Sequence, residues 1–318
     1  MGRKTRLRPD RIGTTARQSM KIMKFGCASV GDGKRILLVA RLIAKYSQKD
    51  RIVSVVSAMS GVTDELISVF DAYKKGNTQK GLKQILKLYA RHIKSARDVE
   101  VLNGGSQLLY SSIKEYFSKL LAYLTFDCAF EDSDFDYCVS FGERLSSLIL
   151  TSTLSKLGVK TKLIDSALVI VTSCEFRNAR VLFTKTAQNA EKLLLPLLME
   201  GYHPVVTGYF GATQEGKVAT LGRGGSDYSA TVLAHVLDAQ EVILWKEVDG
   251  IFTYDPKKNG SAQFLSELSY DQALALAQNG AKVLHPEALV PVASKGITVW
   301  VRNAFKPEFV GSKIWKGS

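Results

Sequence analysis

The chain has 318 residues, 46% hydrophobic and 23% charged, a composition that fits a globular protein and excludes a disordered or collagen-like one. At this length roughly three quarters of the unfolded surface is buried on folding, enough for one large domain or two lobes without metal or disulfide staples. The formal charge is +13, and the cysteines at positions 27, 128, 138 and 174 form no C-x-x-C pair, which argues against zinc ribbons and disulfide scaffolds and for a reducing compartment, the cytoplasm.

Residues 1–20 carry Arg3, Lys4, Arg6, Arg8, Arg11 and Arg17 against Asp10 alone, and read as a basic disordered tail. Their Arg-rich, acid-poor makeup also fits an organellar import signal. No apolar run nears the roughly 18 residues of a membrane span, so no membrane association is expected.

From residue 21 the chain reads as alternating strands and helices. Lys21–Phe25 and Arg51–Ser57 are short apolar runs. Between them, Lys34–Tyr46 places Ile36, Leu37, Val39, Ala40 and Ile43 at helical spacing. Lys74–Arg97 holds eight Lys and Arg and no acid. Lys80, Lys83, Lys87, Arg91 and Lys94 recur there at steps of three and four, which places these five on one helix face, with Leu82, Ile85, Leu86, Leu88 and Ile93 available for the other. The basic face reads as solvated, with nucleic-acid or membrane binding as the rival. Further strands are expected at Lys160–Ile164, His203–Thr207, Glu241–Trp245 and Ile297–Val301. Helices are expected at Gly142–Leu157, Lys185–Met199, Asp227–Leu237 and Tyr270–Gln278, and a hairpin at about Gly208–Thr220. This alternation predicts an α/β protein with a mostly parallel central sheet covered on both faces, bilobal in outline.

In such sheets ligands collect at the carboxyl ends of strands. Lys24-Phe25-Gly26-Cys27-Ala28-Ser29 leads from a strand into a helix; backbone N–H groups, the helix start and Lys24 suit an anion, though an ordinary βα turn explains the loop as well. The P-loop and G-x-G-x-x-G patterns both fail. Ser57-Ala58-Met59-Ser60-Gly61-Val62-Thr63 is a second such loop, for which helix capping is the simpler account. Ser140 and Glu143 fit a capping box. In Leu221-Gly222-Arg223-Gly224-Gly225-Ser226-Asp227, the glycines permit close backbone approach, Arg223 offers a planar fork for a carboxylate or phosphate, and Ser226 and Asp227 open a helix. His285 reads as a structural residue.

In order, KFGCASV, SAMSGVTD, SFGERLS, GRGGSDYSA, KEVDGIFTYDP and GAKVLHPEAL resemble the aspartate kinases of the amino acid kinase family, over about Lys21 to Gly311. The resemblance implies a three-layer αβα sandwich of the carbamate kinase-like type, with an amino-acid lobe at about 21–205 and a nucleotide lobe at about 206–318. It implies phosphorylation of the side-chain carboxylate of L-aspartate by ATP with Mg²⁺, in a homodimer, with no metal held by the protein alone. It assigns Lys24, Lys282 and Asp227 to catalysis and Lys24, Gly26, Ser29, Gly225, Ser226, Lys246, Glu247, Phe252, Lys257 and Lys282 to ATP. Thr63, Glu143, Arg223 and Asp227 fall to aspartate. A carboxylate nucleophile is already ionised at neutral pH, so no general base is needed, and catalysis reduces to positioning and charge neutralisation.

Two features depart from the family pattern. Cys27 and Ala28 stand where the family has Gly and Thr; a Cβ at 27 is expected to disfavour positive φ in the phosphate-facing loop and weaken turnover. The sequence stops at Ser318 just after the kinase-like body, which reads as no ACT regulatory domain and no feedback inhibition by lysine or threonine. The rivals are a kinase for another substrate and a catalytically weak paralogue acting as a binding or regulatory subunit.

Overall fold

The computed structural model describes residues 19–100, 107–126, 129–254, 261–278 and 284–317. The first βαβ unit forms as its pattern predicts. Met20–Phe25 (β1) leads through a short turn to Gly33–Ser47 (α1), whose Ile36, Val39, Ala40 and Ile43 are buried, and returns as Arg51–Val56 (β2). β1 and β2 are parallel, with Lys24 opposite Val55.

The five regularly spaced basic residues of the second basic run share one helix, as expected, and the run's first two lysines precede it. Val62–Lys74 (α2) ends at Lys74, Gly76 turns the chain at φ +73°, and α3 runs over Thr78–Glu100. Lys80, Lys83, Lys87 and Lys94 are exposed, but so are Leu82 and Leu86, while Ile85 and Leu88 are buried and Arg91 is half-buried. The packed stripe is therefore narrower than the one read from sequence, and Arg91 leaves the solvated face.

Gln107–Thr125 (α4), Asp132–Val139 (α5) and Phe141–Lys156 (α6) complete the helices on this side. The chain continues through Thr161–Ile164 (β3), Val171–Thr172 (β4), Phe183–Met199 (α7) and His203–Thr207 (β5). The expected hairpin is Phe210–Thr213 (β6) with Val218–Thr220 (β7), joined antiparallel. There follow Gly225–Val236 (α8), Glu241–Lys246 (β8), Ile251–Phe252 (β9), Phe264–Leu265 (β10), Glu267–Ser269 (β11), Tyr270–Gln278 (α9), Pro286–Ala293 (α10), Thr298–Asn303 (β12) and Ser312–Trp315 (β13).

Among the described residues eight strands share one sheet in the order β11-β13-β12-β8-β1-β2-β5-β3, parallel throughout except for the β12–β13 pair. Strand alternation sorts the side chains into two cores. Met23, Phe25, Ile52, Val56, Ile243 and Trp245 pack against α1 to α6. Ile22, Val53, Val55, Val242, Leu244, Val299 and Val301 pack against α7, α8 and α10. This is the three-layer αβα sandwich expected. β1 lies at its centre, with β2 on one side and β8, which arrives much later in the chain, on the other. That is a topological switch point, with β1's carboxyl end facing the crevice where such sheets bind ligands.

Candidate active site

Lys24 shares strand parity with Ile22, so its side chain leaves β1 on the α8 face. Lys246 shares parity with Val242 and Leu244 in β8, on the same face, two residues beyond the position opposite Lys24. Asp227, in the first turn of α8, meets both. Lys24 Nζ is 2.5 Å from Asp227 Oδ1, an ion pair outside hydrogen-bond alignment, and Lys246 Nζ is 2.5 Å from Oδ2. Lys24 and Asp227 are each only 5% exposed. Burial works to raise the Asp227 pKa, but the two ammonium groups overcome it and hold the carboxyl at about 2. Burial beside Lys24 lowers the Lys246 pKa, against the pull of Asp227. The cluster carries two cations on one anion, a surplus suited to phosphate.

The glycines before α8 explain how Asp227 gets there. Gly222 and Gly224 have φ +72° and +74°, and a Cβ on Gly224 would stand 2.5 Å from His285 Cβ. Ser226 packs against Gly208 at the end of β5, where an added Cβ would lie 2.9 Å from Ser226 Cβ and Oγ.

Glu143 enters from the other layer. Gly142 lets α6 approach the turn after β2 so closely that a Cβ there would be 2.7 Å from Ala58 Cβ. Ala58 N–H donates to Glu143 Oε1 at 3.0 Å, and Ser146 Oγ donates to Ser57 O at 2.6 Å. Glu143 Oε2 is buried with no partner. Burial pushes the Glu143 pKa up to about 8, against the lowering effect of the Ala58 amide, Lys24 and Arg144. This overturns the capping-box reading: Ser140 continues in helical conformation from α5, its hydroxyl donates to Tyr137 O and accepts from Arg144, and Glu143 reaches across to β2's turn. A buried acid with a free lone-pair face is a receptor for a cation.

The remaining expected residues fall around this centre. A Cβ on Gly26 would point to within 3.5 Å of Lys24 Nζ, so the glycine keeps the ammonium approachable. Ser29 is fully buried and its hydroxyl donates to Trp245 O at 3.3 Å, which braces the turn against β8. The start of α1 is already capped: Asp32 accepts from the Arg35 amide, which leaves α8 to supply the anion-friendly helix start expected there. Among the described residues the non-glycine residues with positive φ are Arg177, Tyr209 and Asp238, so Cys27 is free of the left-handed strain expected of it. Its thiol is exposed.

Gly225 is buried under Tyr209. Thr63 is half-buried in the first turn of α2, and Arg223 and Glu247 are exposed. Phe252 sits in β9 with its ring 5.6 Å from that of Phe264. Lys257 and Lys282 lie outside the described residues.

Two residues that sequence reasoning passed over belong to the site's frame. Tyr209 holds φ +75°, its carbonyl accepts from Leu221 N–H at 2.8 Å, and Gly225 packs on its ring. Burial, with Glu143 nearby, pushes its phenol to about 12. A bulky residue held in the left-handed region is a sign of a site under constraint. Asp136, fully buried on α5, accepts from Arg177 N–H at 2.7 Å and from Thr220 N–H and Oγ1 at 2.8 Å, fixing the strand that leads into Arg223. Neither carries a sequence signal beyond its place beside a recognised loop.

Known proteins resemble this chain in sequence and fold. The profile of the Amino acid kinase family matches residues 19–303. Aspartokinase 3, chloroplastic, of Arabidopsis thaliana is 34% identical over 96% of this chain and 54% of its own length. The solved structure of E. coli aspartokinase III in complex with aspartate and ADP superposes with a TM-score of 0.85 at 28% identity, covering 94% of this chain and 65% of that one. A UMP kinase from Bacillus anthracis, at 16% identity and a TM-score of 0.52, shares the fold alone. The chain spans about half the length of the curated Arabidopsis relative.

Proposed function

We propose that this chain, which belongs to the amino acid kinase family, transfers the γ-phosphoryl group of ATP to the side-chain carboxylate of L-aspartate, giving 4-phospho-L-aspartate and ADP. The observation that carries the reading is the pairing of two opposite receptors at the end of one strand layer: a cation-rich cluster of Lys24, Lys246 and Asp227, and a buried, half-partnered carboxylate, Glu143. The first suits phosphates and the second suits an α-ammonium group. A nucleoside monophosphate offers no ammonium for Glu143, so the pair favours an amino acid acceptor. The similarity to aspartokinases favours aspartate as that amino acid.

In this reading Lys24 faces the transferring phosphoryl group from β1 and balances its charge, while Asp227 orients Lys24. Lys246 supports the leaving phosphates. Arg223, exposed at the rim, folds onto the α-carboxylate, with Thr63 completing the aspartate pocket. Among the described residues no three His, Cys, Asp or Glu side chains group to hold a metal. Mg²⁺ would come with the nucleotide's phosphates and neutralise their charge, with Asp227 as the buried carboxylate of the cluster that would face it. Glu247, Phe252, Lys257 and Lys282 retain their proposed roles toward ATP, within a nucleotide lobe beginning near residue 206.

The reading includes a homodimer, testable by light scattering. It also includes a cytoplasmic location, with plastid import through residues 1–20 as the alternative raised by the chloroplastic relatives. Among the described residues no helix is long and apolar enough to cross a membrane. The deciding experiment is the purified chain with ATP, Mg²⁺, L-aspartate and hydroxylamine. Aspartyl hydroxamate should form only when both substrates are present; its absence alongside ADP production with another acceptor would overturn the assignment.

A further inference from the structure

Arg91 does not belong to the solvated basic face of α3. Its guanidinium reaches three separate segments: Nη1 donates to Glu65 Oε1 on α2 at 3.0 Å, and Nη2 donates to Ser60 O at 2.6 Å and Gly31 O at 3.3 Å. Gly31 ends the turn after β1, and Ser60 lies in the turn after β2. The two turns also touch directly, since Ser60 Oγ donates to Cys27 O at 3.1 Å, and a Cβ on Gly31 would stand 3.2 Å from Ser60 Oγ.

The docking of α3 does not depend on this contact. Ile85, Leu88, Ala96 and Val99 anchor the helix in the core, and Gly33 of α1 packs so tightly on it that a Cβ would lie 2.3 Å from Ser95 O. The bonds of Arg91 therefore act on the turns more than on the helix. A planar five-donor fork can hold both carbonyls and the carboxylate at once; a lysine, with one compact ammonium, cannot span them.

We propose that Arg91 is a positioning residue that ties the nucleotide-facing turn Gly26–Gly31 to the aspartate-facing turn Ser57–Thr63, so that ordering of one turn by its substrate favours binding of the other. This rests on the reading of the site as one for ATP and aspartate. Arg91 touches neither substrate and acts through Gly31, Ser60 and Glu65.

The test is the dissociation constant of ADP, measured by calorimetry on the whole chain with and without saturating L-aspartate, for the wild type, Arg91→Ala, Arg91→Lys and Glu65→Gln. In the wild type aspartate should tighten ADP binding by about fivefold or more, the lower end of ordinary coupling between sites. Arg91→Ala should bring that ratio close to one while its melting temperature stays within a few degrees of wild type. Arg91→Lys should fail to restore the ratio, which a simple charge or packing role would allow. Glu65→Gln, which leaves both carbonyl bonds in place, should keep most of it and supplies a milder variant if Arg91→Ala does not fold. A wild-type ratio that survives in a folded Arg91→Ala, or in Arg91→Lys, overturns the proposal and leaves the site's function standing. Wild-type protein that binds both ligands without coupling does the same. Wild-type protein that binds ADP but not aspartate overturns the substrate reading, and this proposal with it.

Discussion

Asp227 of α8 and Lys246 of β8 stand 2.5 Å apart, and the second oxygen of the same carboxylate faces Lys24 of β1 at the same distance. One buried anion thus holds two cations that would otherwise repel each other. The arrangement joins the middle of the sheet to the start of the helix that covers it. Its charge surplus suits an incoming phosphate.

Removing that anion should be costly. Asp227→Asn leaves the buried Lys24 and the half-buried Lys246 with a neutral partner and should destabilise the protein by about 3 kcal/mol, the lower end of the usual range for breaking a buried pair on one side. The pH dependence has a definite sign. The native Asp227 pKa, about 2, lies below its ordinary 3.8. Its stabilisation is therefore present above about pH 4 and lost as the pH falls through 2. Urea midpoints collected from pH 5 to pH 2 should fall for the wild type and fall less steeply for Asp227→Asn.

Glu143 should behave in the opposite sense. Its native pKa is raised from 4.5 to about 8, so its contribution to stability is full below about pH 4.5 and lost as the pH rises through 8. Glu143→Gln should remove that alkaline decline in the ligand-free protein. An ammonium substrate needs the ionised form, so aspartate binding at pH 7 should release a proton. Calorimetry in buffers of different ionisation enthalpy reads this directly. Release of about one proton by the wild type and none by Glu143→Gln would fix the residue as the amine receptor, and equal release by both would remove it from that role.

Cys27 gives a chemical probe of the first turn. Its thiol is exposed, whereas Cys138 is buried, and Lys246 lies nearby. Alkylation followed residue by residue by mass spectrometry should modify Cys27 readily in the free protein and more slowly with ATP and Mg²⁺ present, while exposed Cys174 reacts at an unchanged rate. Because Cys27 is free of positive φ, Cys27→Gly should relieve no strain. Any gain in kcat/KM from restoring the Gly-Thr pair should then follow Ala28→Thr, as kinetics of the two single variants would show. Protection of both exposed thiols alike would mean that the nucleotide acts globally and not at this turn.

How far these features were readable in the chain depends on the length scale of the signal. β1, β2, β5 and β8 are five- and six-residue buried strands whose apolar runs stand out, and they carry Lys24 and Lys246 with the correct parity. β4, β9 and β10 have two residues each, too few for any period to register. The regular charge spacing from Lys80 to Lys94 marked α3, and Gly76 turns the chain just before it. Glu143 was legible as an acid at a helix start, but a local cap and a long-range receptor look the same in sequence; only the close approach of Gly142 to Ala58 separates them. Arg91 was grouped by period with lysines that do face water, since periodicity locates a face and says nothing of which long side chain turns off it. Tyr209 needed its backbone angle, which no sequence pattern prints.

Arg223 and Lys246 should divide the two substrates between them. Arg223 is exposed, with no ion pair among the described residues, so Arg223→Ala should leave the melting temperature unchanged. If its fork closes on the α-carboxylate, loss of a charged bidentate contact should lower kcat/KM for aspartate by roughly 10- to 100-fold with little change in the KM for ATP. Lys246→Met retains a long stem but removes the second cation from Asp227. It should raise the KM for ATP, leave that for aspartate nearly untouched, and reduce the salt sensitivity of nucleotide binding. Steady-state kinetics varying each substrate at saturation of the other separates these outcomes. If Arg223→Ala leaves both aspartate parameters intact, the α-carboxylate is held elsewhere; if Lys246→Met instead perturbs aspartate, the two receptors overlap and the phosphate assignment of the Lys24, Lys246 and Asp227 cluster fails.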